Sequence, residues 1–311
     1  MALKTKQQQI SRRDFLKTCG LVTGHAFFGF IPGGIAKTTS KQIINIPPSL
    51  ALHSSDGKLE FLPPLLALLA EHGFTGTTYQ TWRRHLLEND PIKNPIILSI
   101  DDISMAKNGC ASFDNFVQMQ KWIQAAEMTA VFGVVTQPVI NGQAQTTQDE
   151  SRWDMMAEWV KAGFELASHT TFHSNFNAID TGPRQDFNTA DYQAEIVDSA
   201  QLIETKLAER GIHYEVTTLI TPYGSGYSYK LPHHTVHDGI LEACQLTAIN
   251  LVVGIVEGRK SQPFHTIYQT NAPLYLGRIP PAYTELENGE RSPLAQQTFS
   301  WLQSWQKSYH Q

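Results

Sequence analysis

The chain has 311 residues, 41% of them hydrophobic and 17% charged, which is long enough and apolar enough for one large α/β domain with a substantial core. Its net charge of −5 and pI near 6.2, with no basic block beyond the first residues, argue against nucleic acid or an anionic membrane surface as a partner. A neutral or weakly cationic substrate suits such a surface better.

The first feature in chain order is Ser11-Arg12-Arg13-Asp14-Phe15-Leu16-Lys17, followed by a modestly apolar stretch from Cys19 to Ala36. Gly20, Gly24, Gly29, Gly33, Gly34 and Pro32 make that stretch a poor membrane-spanning helix. The segment resembles a twin-arginine export signal, and Gly34-Ile35-Ala36 is a small-residue cleavage site. The expected organisation is a signal peptide over 1–36 and one domain over 37–311, with the twin-arginine translocase as partner during export and a periplasmic or cell-envelope location. Cleavage or retention of the signal as an anchor is left open. Without Cys19 only Cys110 and Cys244 remain, too few for a disulfide framework. Passage in the folded state, which the resemblance implies, favours two free, buried thiols over a pair formed after export.

Beyond a polar linker around Lys37 to Gln42, short apolar runs alternate with amphipathic stretches, the pattern of a parallel sheet or barrel. The expected strands are Ser49 to His53, Ile96 to Ile100, Thr129 to Val135, Phe164 to Ser168, Val216 to Ile220, Asn250 to Ile255 and Leu274 to Ile279. Between them, Phe116, Met119, Ile123 and Ala126, and again Ile196, Ala200, Ile203 and Leu207, recur at helical spacing and read as core-facing stripes. About seven parallel strands with intervening helices predict an α/β fold, a distorted or incomplete (β/α) barrel, whose functional residues sit at the C-terminal strand ends.

Three fragments fall at such ends. Asp101 and Asp102 follow the apolar run Ile96 to Ile100, a costly place for two carboxylates unless something cationic is there, although one of such a pair often only caps a helix. His169-Thr170-Thr171-Phe172-His173 follows the next site strand, and four-residue spacing on a helical turn would point both imidazoles the same way, as a divalent metal requires. Thr221-Pro222-Tyr223-Gly224 is a turn beyond a third strand, where a backbone N–H can donate to a developing oxyanion.

Together these fragments resemble the polysaccharide deacetylase family, also called the NodB homology domain or carbohydrate esterase family four. Its T-F-D-D-G motif stands here as Ser99-Ile100-Asp101-Asp102-Ile103, its H-[ST]-x-x-H motif as His169 to His173, and its Pro-Tyr-Gly ending as Pro222 to Gly224. Phe61 to Leu66 through Gly73-Phe74 looks like the family's opening helix and strand, and Leu52-His53 lies where many members carry Tyr-His, so the resemblance covers roughly residues 45 to 280.

The resemblance implies roles. Asp102, His169 and His173 would hold a divalent metal, zinc first and cobalt or nickel next, and Asp101 would be the base that deprotonates the attacking water. The Tyr223 N–H would stabilise the oxyanion, with Pro222, Gly224, Tyr227 and Arg278 lining the substrate side and an N-acetylated polysaccharide as the substrate. Tyr223, Tyr227 and Tyr229 offer stacking faces. The chain also departs from the pattern: Ile103 replaces a glycine, no motif arginine precedes Pro222, and no histidine lies between Tyr268 and Tyr309 to match the late Leu-x-His that supplies the general acid. Arg278 could approach the base in place of the missing arginine, and His233, His234, His237 and His265 are candidate donors, none assigned. Three readings stay open: N-deacetylation of an amino-sugar polymer, hydrolysis of ester-linked acetyl groups or a non-sugar amide, and a glycan-binding protein without turnover.

Overall fold

Alternation along each apolar run decides the architecture, because every strand has one face for helices and one for its own interior. The computed structural model describes residues 46–53, 59–107, 112–177, 186–228, 235–255, 274–285 and 291–309, all within one unit, Lys41–Gln311. The export-signal segment, Cys110, Tyr229, His233, His234 and His265 lie outside the described residues. Cys244 is buried and free.

The elements run β1 (Ser49–His53), α1 (Leu62–Glu71), β2 (Thr75–Thr77), α2 (Tyr79–Glu88), β3 (Pro95–Ser104), α3 (Phe113–Ala125) and β4 (Val131–Val135). There follow a small hairpin of β5 (Val139–Ile140) and β6 (Gln143–Ala144), then α4 (Glu150–Lys161), β7 (Glu165–Ser168), α5 (Thr189–Ala208) and β8 (Thr218–Ile220). The remainder is β9 (Tyr227–Ser228), β10 (Thr235–Val236), α6 (Asp238–Cys244), β11 (Leu251–Ile255), β12 (Leu274–Arg278), β13 (Tyr283–Glu285), β14 (Arg291–Pro293) and α7 (Ala295–Tyr309).

Seven parallel strands neighbour one another in the order β1, β3, β4, β7, β8, β11, β12, and β2 adds to the start of β3. The ring is nearly closed: Leu50 bridges Ile279 just past β12, with Ala51 N donating to Ile279 O at 2.9 Å and Ile279 N donating to Ser49 O at 3.0 Å. The wall is thinnest between β7 and β8, which share the single pair Ser168 and Leu219. The seven expected strands are all present, so the fold is the α/β, barrel-like one read from the sequence.

Outward-facing Leu98, Ile100, Phe132, Val134, Leu166 and Val252 join the helices in one core. Inward-facing Ile97, Val131, Ala167, Leu251 and Leu276 form a second with Tyr79 and Trp82 of α2 and Trp305 of α7. Several of these inward residues begin their strands, so the N-terminal mouth of the barrel is plugged with apolar side chains and the C-terminal mouth is left for polar ones. Near the plug, Thr218 Oγ1 and the Gln80 backbone N–H donate to the buried Glu165 carboxylate at 2.6 and 2.9 Å, tying the start of α2 to the sheet.

One strand departs from expectation. The run expected to end at Ile100 continues as strand to Ser104, and its register against β4 shifts between Ile100 and Ile103. Asp101 and Asp102 together oppose Gly133 alone, a β-bulge, with Asp102 at φ +69°. Gly133 has a packing reason: a Cβ there would meet Ile220 Cδ1 at 3.3 Å and Asp101 Oδ1 and His169 Cβ at 3.4 Å.

Phe132, fully buried against Trp159 and Phe164 on the outer face, tests the division into two cores. Phe132→Ala is expected to cost about 3–5 kcal/mol in urea unfolding while leaving metal binding by the folded protein intact.

Candidate metal centre and its base

The bulge on β3 brings Asp102 out to the loop that follows β7. Asp102 Oδ1 lies 3.2 Å from His169 Nε2 and 3.0 Å from His173 Nε2, and the ligand atoms of all three residues fall within 4.8 Å of one another. The two histidines do not ride a helical turn as the spacing suggested. Residues 169–173 are an irregular loop in which Thr170 and His173 take left-handed backbone (φ +69° and +62°), and the His173 N–H donates to Thr170 Oγ1 at 3.0 Å. That turn, rather than helical periodicity, sets the imidazole centroids 4.9 Å apart.

The donor chemistry fits a divalent cation. His169 Nδ1 lies 2.8 Å from the Ile220 carbonyl oxygen, which can only accept, so Nδ1 carries the hydrogen and the neutral ring presents a lone pair at Nε2. A lone pair facing a carboxylate oxygen is repulsive unless a proton or a metal sits between them. Burial raises the Asp102 carboxyl, and a hydrogen on the facing imidazole nitrogens, or a cation in its place, lowers it well below the ordinary carboxylate range, the ionised form a ligand needs.

Asp101 is turned to a different partner. Arg278, at the end of β12, donates from Nη1 to Asp101 Oδ1 at 2.6 Å and from Nη2 to Oδ2 at 2.7 Å. The same Nη1 reaches Ser99 Oγ at 2.8 Å, and Nε reaches the Gly254 carbonyl at 3.5 Å. Burial would raise Asp101, yet the charge and hydrogen bonds of Arg278 pull it below its ordinary value, so the carboxylate is ionised. Expected among the substrate-lining residues and as a possible neighbour of Asp101, Arg278 is 0% exposed and is paired with Asp101.

The turn Pro222–Gly224 follows β8, anchored by Thr221 N donating to Val253 O at 2.8 Å. Pro222 and Gly224 are buried and shape the turn. At Gly224 (φ +61°) a Cβ would stand 3.0–3.2 Å from Ile255 atoms. Tyr223 is left-handed (φ 59°), 67% exposed, and lays its ring 4.8 Å from that of His173, which puts the turn at the rim of the metal centre. Tyr227 begins β9, with its backbone paired to Val236; the position of its ring lies outside the described structure. Of the candidate proton donors, His237 is buried at the start of α6.

One residue of the site was left without a role by the sequence. His53, at the end of β1 and in register with Asp101, places Nε2 3.7 Å from Asp101 Oδ2 with its side chain 25% exposed. Its signal was the Leu52-His53 pair at the first strand end, a position the barrel rule marks as functional.

A sequence model of the family described as polysaccharide deacetylase matches residues 45–235, more than half of the chain. Among solved structures the chain is similar to the Streptococcus pyogenes deacetylase PplD in complex with acetate, at 18% identity and a TM-score of 0.52 over 78% of this chain and 93% of that one. It is similar to the deacetylase domain of BpsB from Bordetella bronchiseptica at 14% and 0.50 over 75% and 95%, and to a de-N-acetylase from Aggregatibacter actinomycetemcomitans at 15% and 0.50 over 75% and 93%. At these identities the likeness is one of fold. No curated protein matches the chain.

Titration of the metal-free protein with Co(II), read by visible absorption and calorimetry, is expected to show one site. His173→Ala should weaken it by more than the ~10–100-fold typical of losing an outer-shell partner, and Asp101→Asn should leave the stoichiometry unchanged.

Proposed function

The chain belongs to the polysaccharide deacetylase family, and from that premise we propose that it is a metal-dependent hydrolase removing N-acetyl groups from an amino-sugar polysaccharide. The observation that carries this reading is the division of labour between neighbouring carboxylates: Asp102 faces the imidazoles, and Asp101 faces a buried guanidinium. A protein that only bound metal or glycan would need the first and have no use for the second.

A divalent cation held by Asp102, His169 and His173, zinc by the donor set and cobalt or nickel next, would polarise the acetamide carbonyl and bring the pKa of a water from ~15.7 to about 7. Asp101, kept ionised and oriented by Arg278, takes the proton of the attacking water. The Tyr223 N–H, in the left-handed turn beside His173, donates to the oxyanion as the carbonyl carbon becomes tetrahedral. Collapse breaks the C–N bond, and the departing amine takes a proton from the imidazolium form of His53, which Asp101, holding the proton taken from water, or solvent then recharges. On this reading His53 fills the role for which Tyr268 to Tyr309 offers no histidine, which answers the main argument for a non-catalytic glycan binder. The exposed Tyr223 ring offers a sugar a stacking face. An amide rather than an ester is favoured by the de-N-acetylase among the structures of like fold.

Ser11 to Lys17 supports export by the twin-arginine translocase and a place in the periplasm or cell envelope, where acetylated glycans lie.

Acetate release from N-acetylglucosamine oligomers by the metal-loaded protein tests the reading. Asp101→Asn is expected to lower kcat by about 10²–10⁴-fold with metal content unchanged. Absence of metal-dependent release from these oligomers, from peptidoglycan and from acetylated xylan alike would sink the proposal. His53→Gln should abolish amide hydrolysis yet spare 4-nitrophenyl acetate, whose leaving group departs without a proton; equal loss on both substrates would remove His53 from the donor role.

A further inference from the structure

The loop that carries His169 and His173 is left-handed at Thr170 and again at His173, so no regular ladder supplies partners for the N–H groups between those corners. Each backbone N–H from His169 to His173 nevertheless has an acceptor. Three of them stay with the sheet or with the loop itself: His169 N donates to Val134 O at 2.9 Å, Thr170 N to Ser168 Oγ at 3.3 Å and His173 N to Thr170 Oγ1 at 3.0 Å. The other two converge on one residue of α5. Thr171 N donates to the Glu195 carbonyl oxygen at 3.0 Å, and Phe172 N to Glu195 Oε2 at 2.9 Å.

A carboxylate is costly at that position. Glu195 is 2% exposed, on a helix whose Tyr192, Ile196, Ala200 and Ile203 pack into the core, and an aliphatic side chain there would escape the desolvation. Accepting from a backbone N–H offsets part of that cost, since a bond to an ionised acceptor is roughly twice as strong as a neutral one. The preceding residue adds a second tie, with Thr171 Oγ1 donating to Ala194 O at 2.6 Å. The capping box of Asn188 and Asp191 sets where α5 begins, and Glu195 follows Asp191 by about one turn. On the opposite side, Thr136 N and Gln137 N, just past β4, donate to Thr170 O at 3.3 Å and Thr171 O at 2.8 Å, so the loop is clamped between sheet and helix.

We propose that Glu195 is a positioning residue for the metal centre: by holding Thr171 N and Phe172 N, the two N–H groups between the left-handed corners, it keeps His173 turned toward Asp102 beside His169. Strained backbone of this kind persists only where contacts over-determine it, and Glu195 supplies the side-chain contact that comes from outside the loop and its own strand. The role passes through the loop backbone, and it rests on the reading of Asp102, His169 and His173 as metal ligands.

The test compares Glu195→Leu and Glu195→Gln in the full-length protein, titrated with Co(II) and followed by calorimetry, by visible absorption of the bound ion and by melting temperature without metal. Glu195→Leu, which leaves Phe172 N without its acceptor, is expected to weaken Co(II) binding by about 10–100-fold and to change the absorption of the bound ion. Glu195→Gln keeps an oxygen that can accept from Phe172 N, so affinity and absorption should stay close to wild type. If Glu195→Leu does not fold, Thr171→Val carries the same expectation, since it keeps the shape of the loop and removes its hydroxyl tie to α5. Wild-type affinity and absorption in Glu195→Leu, with only a lower melting temperature, would overturn the proposal and leave Glu195 as a link between helix and sheet. Equal weakening by Leu and Gln would overturn it too. A wild-type protein that took up no cobalt would sink the reading of the triad and this role with it, whereas cobalt bound without acetate release would sink the deacetylase reading alone.

Discussion

The buried pair of Asp101 and Arg278 is the constraint around which the site is arranged. Each charge alone would lose several kcal/mol of hydration in that interior, and neither can be left unpaired without cost. The pairing is bidentate, and Ser99 and Gly254 occupy further donors of the same guanidinium. Such geometry lets a carboxylate stay ionised where burial alone would neutralise it. It also fixes the relation of β3 to β12 across β1, so the charge state of Asp101 and the closure of the barrel depend on one interaction.

The bulge in β3 explains how two neighbouring carboxylates can serve different partners. In a regular strand successive side chains alternate faces, and only one of two neighbours would look inward. With Asp101 and Asp102 together opposite Gly133, and Asp102 left-handed, Asp102 reaches the imidazoles while Asp101 stays on the guanidinium. Among the described residues eight other than glycine have positive φ, and four of them, Asp102, Thr170, His173 and Tyr223, belong to the site. Backbone strain of that kind persists where surrounding structure over-determines it, here through the Thr170 hydroxyl, the Ile220 carbonyl and the tight seat of Gly224 against Ile255.

The parallel, barrel-like fold was legible because the strands are continuous apolar runs and the helices carry regular stripes. The ligand set was legible because Asp102, His169 and His173 sit in short motifs at strand ends. What escaped was whatever depends on contact between distant segments or on local backbone irregularity. Nothing in Ile96 to Ser104 announces a bulge, since the partner that defines it, Gly133, is thirty residues away in sequence. The loop carrying both histidines was read as a helical turn because a four-residue interval is shared by helices and by turns with left-handed corners. Arg278 was recognisable as a possible neighbour of Asp101, but its full burial required the closed ring. His53 was passed over because a single histidine ending the first strand carries no spacing signal of its own.

The sequence separation of the site's parts imposes an order on their assembly. Asp102, His169, His173 and the carbonyl of Ile220 that orients the first imidazole all lie before β9, whereas the counter-ion of Asp101 arrives 177 residues after it on the last strand of the ring. Contacts of such span form late, since their loop-closure entropy is repaid only once the intervening elements have docked. A chain folded through β8 thus already possesses the candidate ligand triad, yet Asp101 has no guanidinium to hold it. The triad is thus complete before the ring closes, and the pairing of Asp101 with Arg278 is complete only when it does.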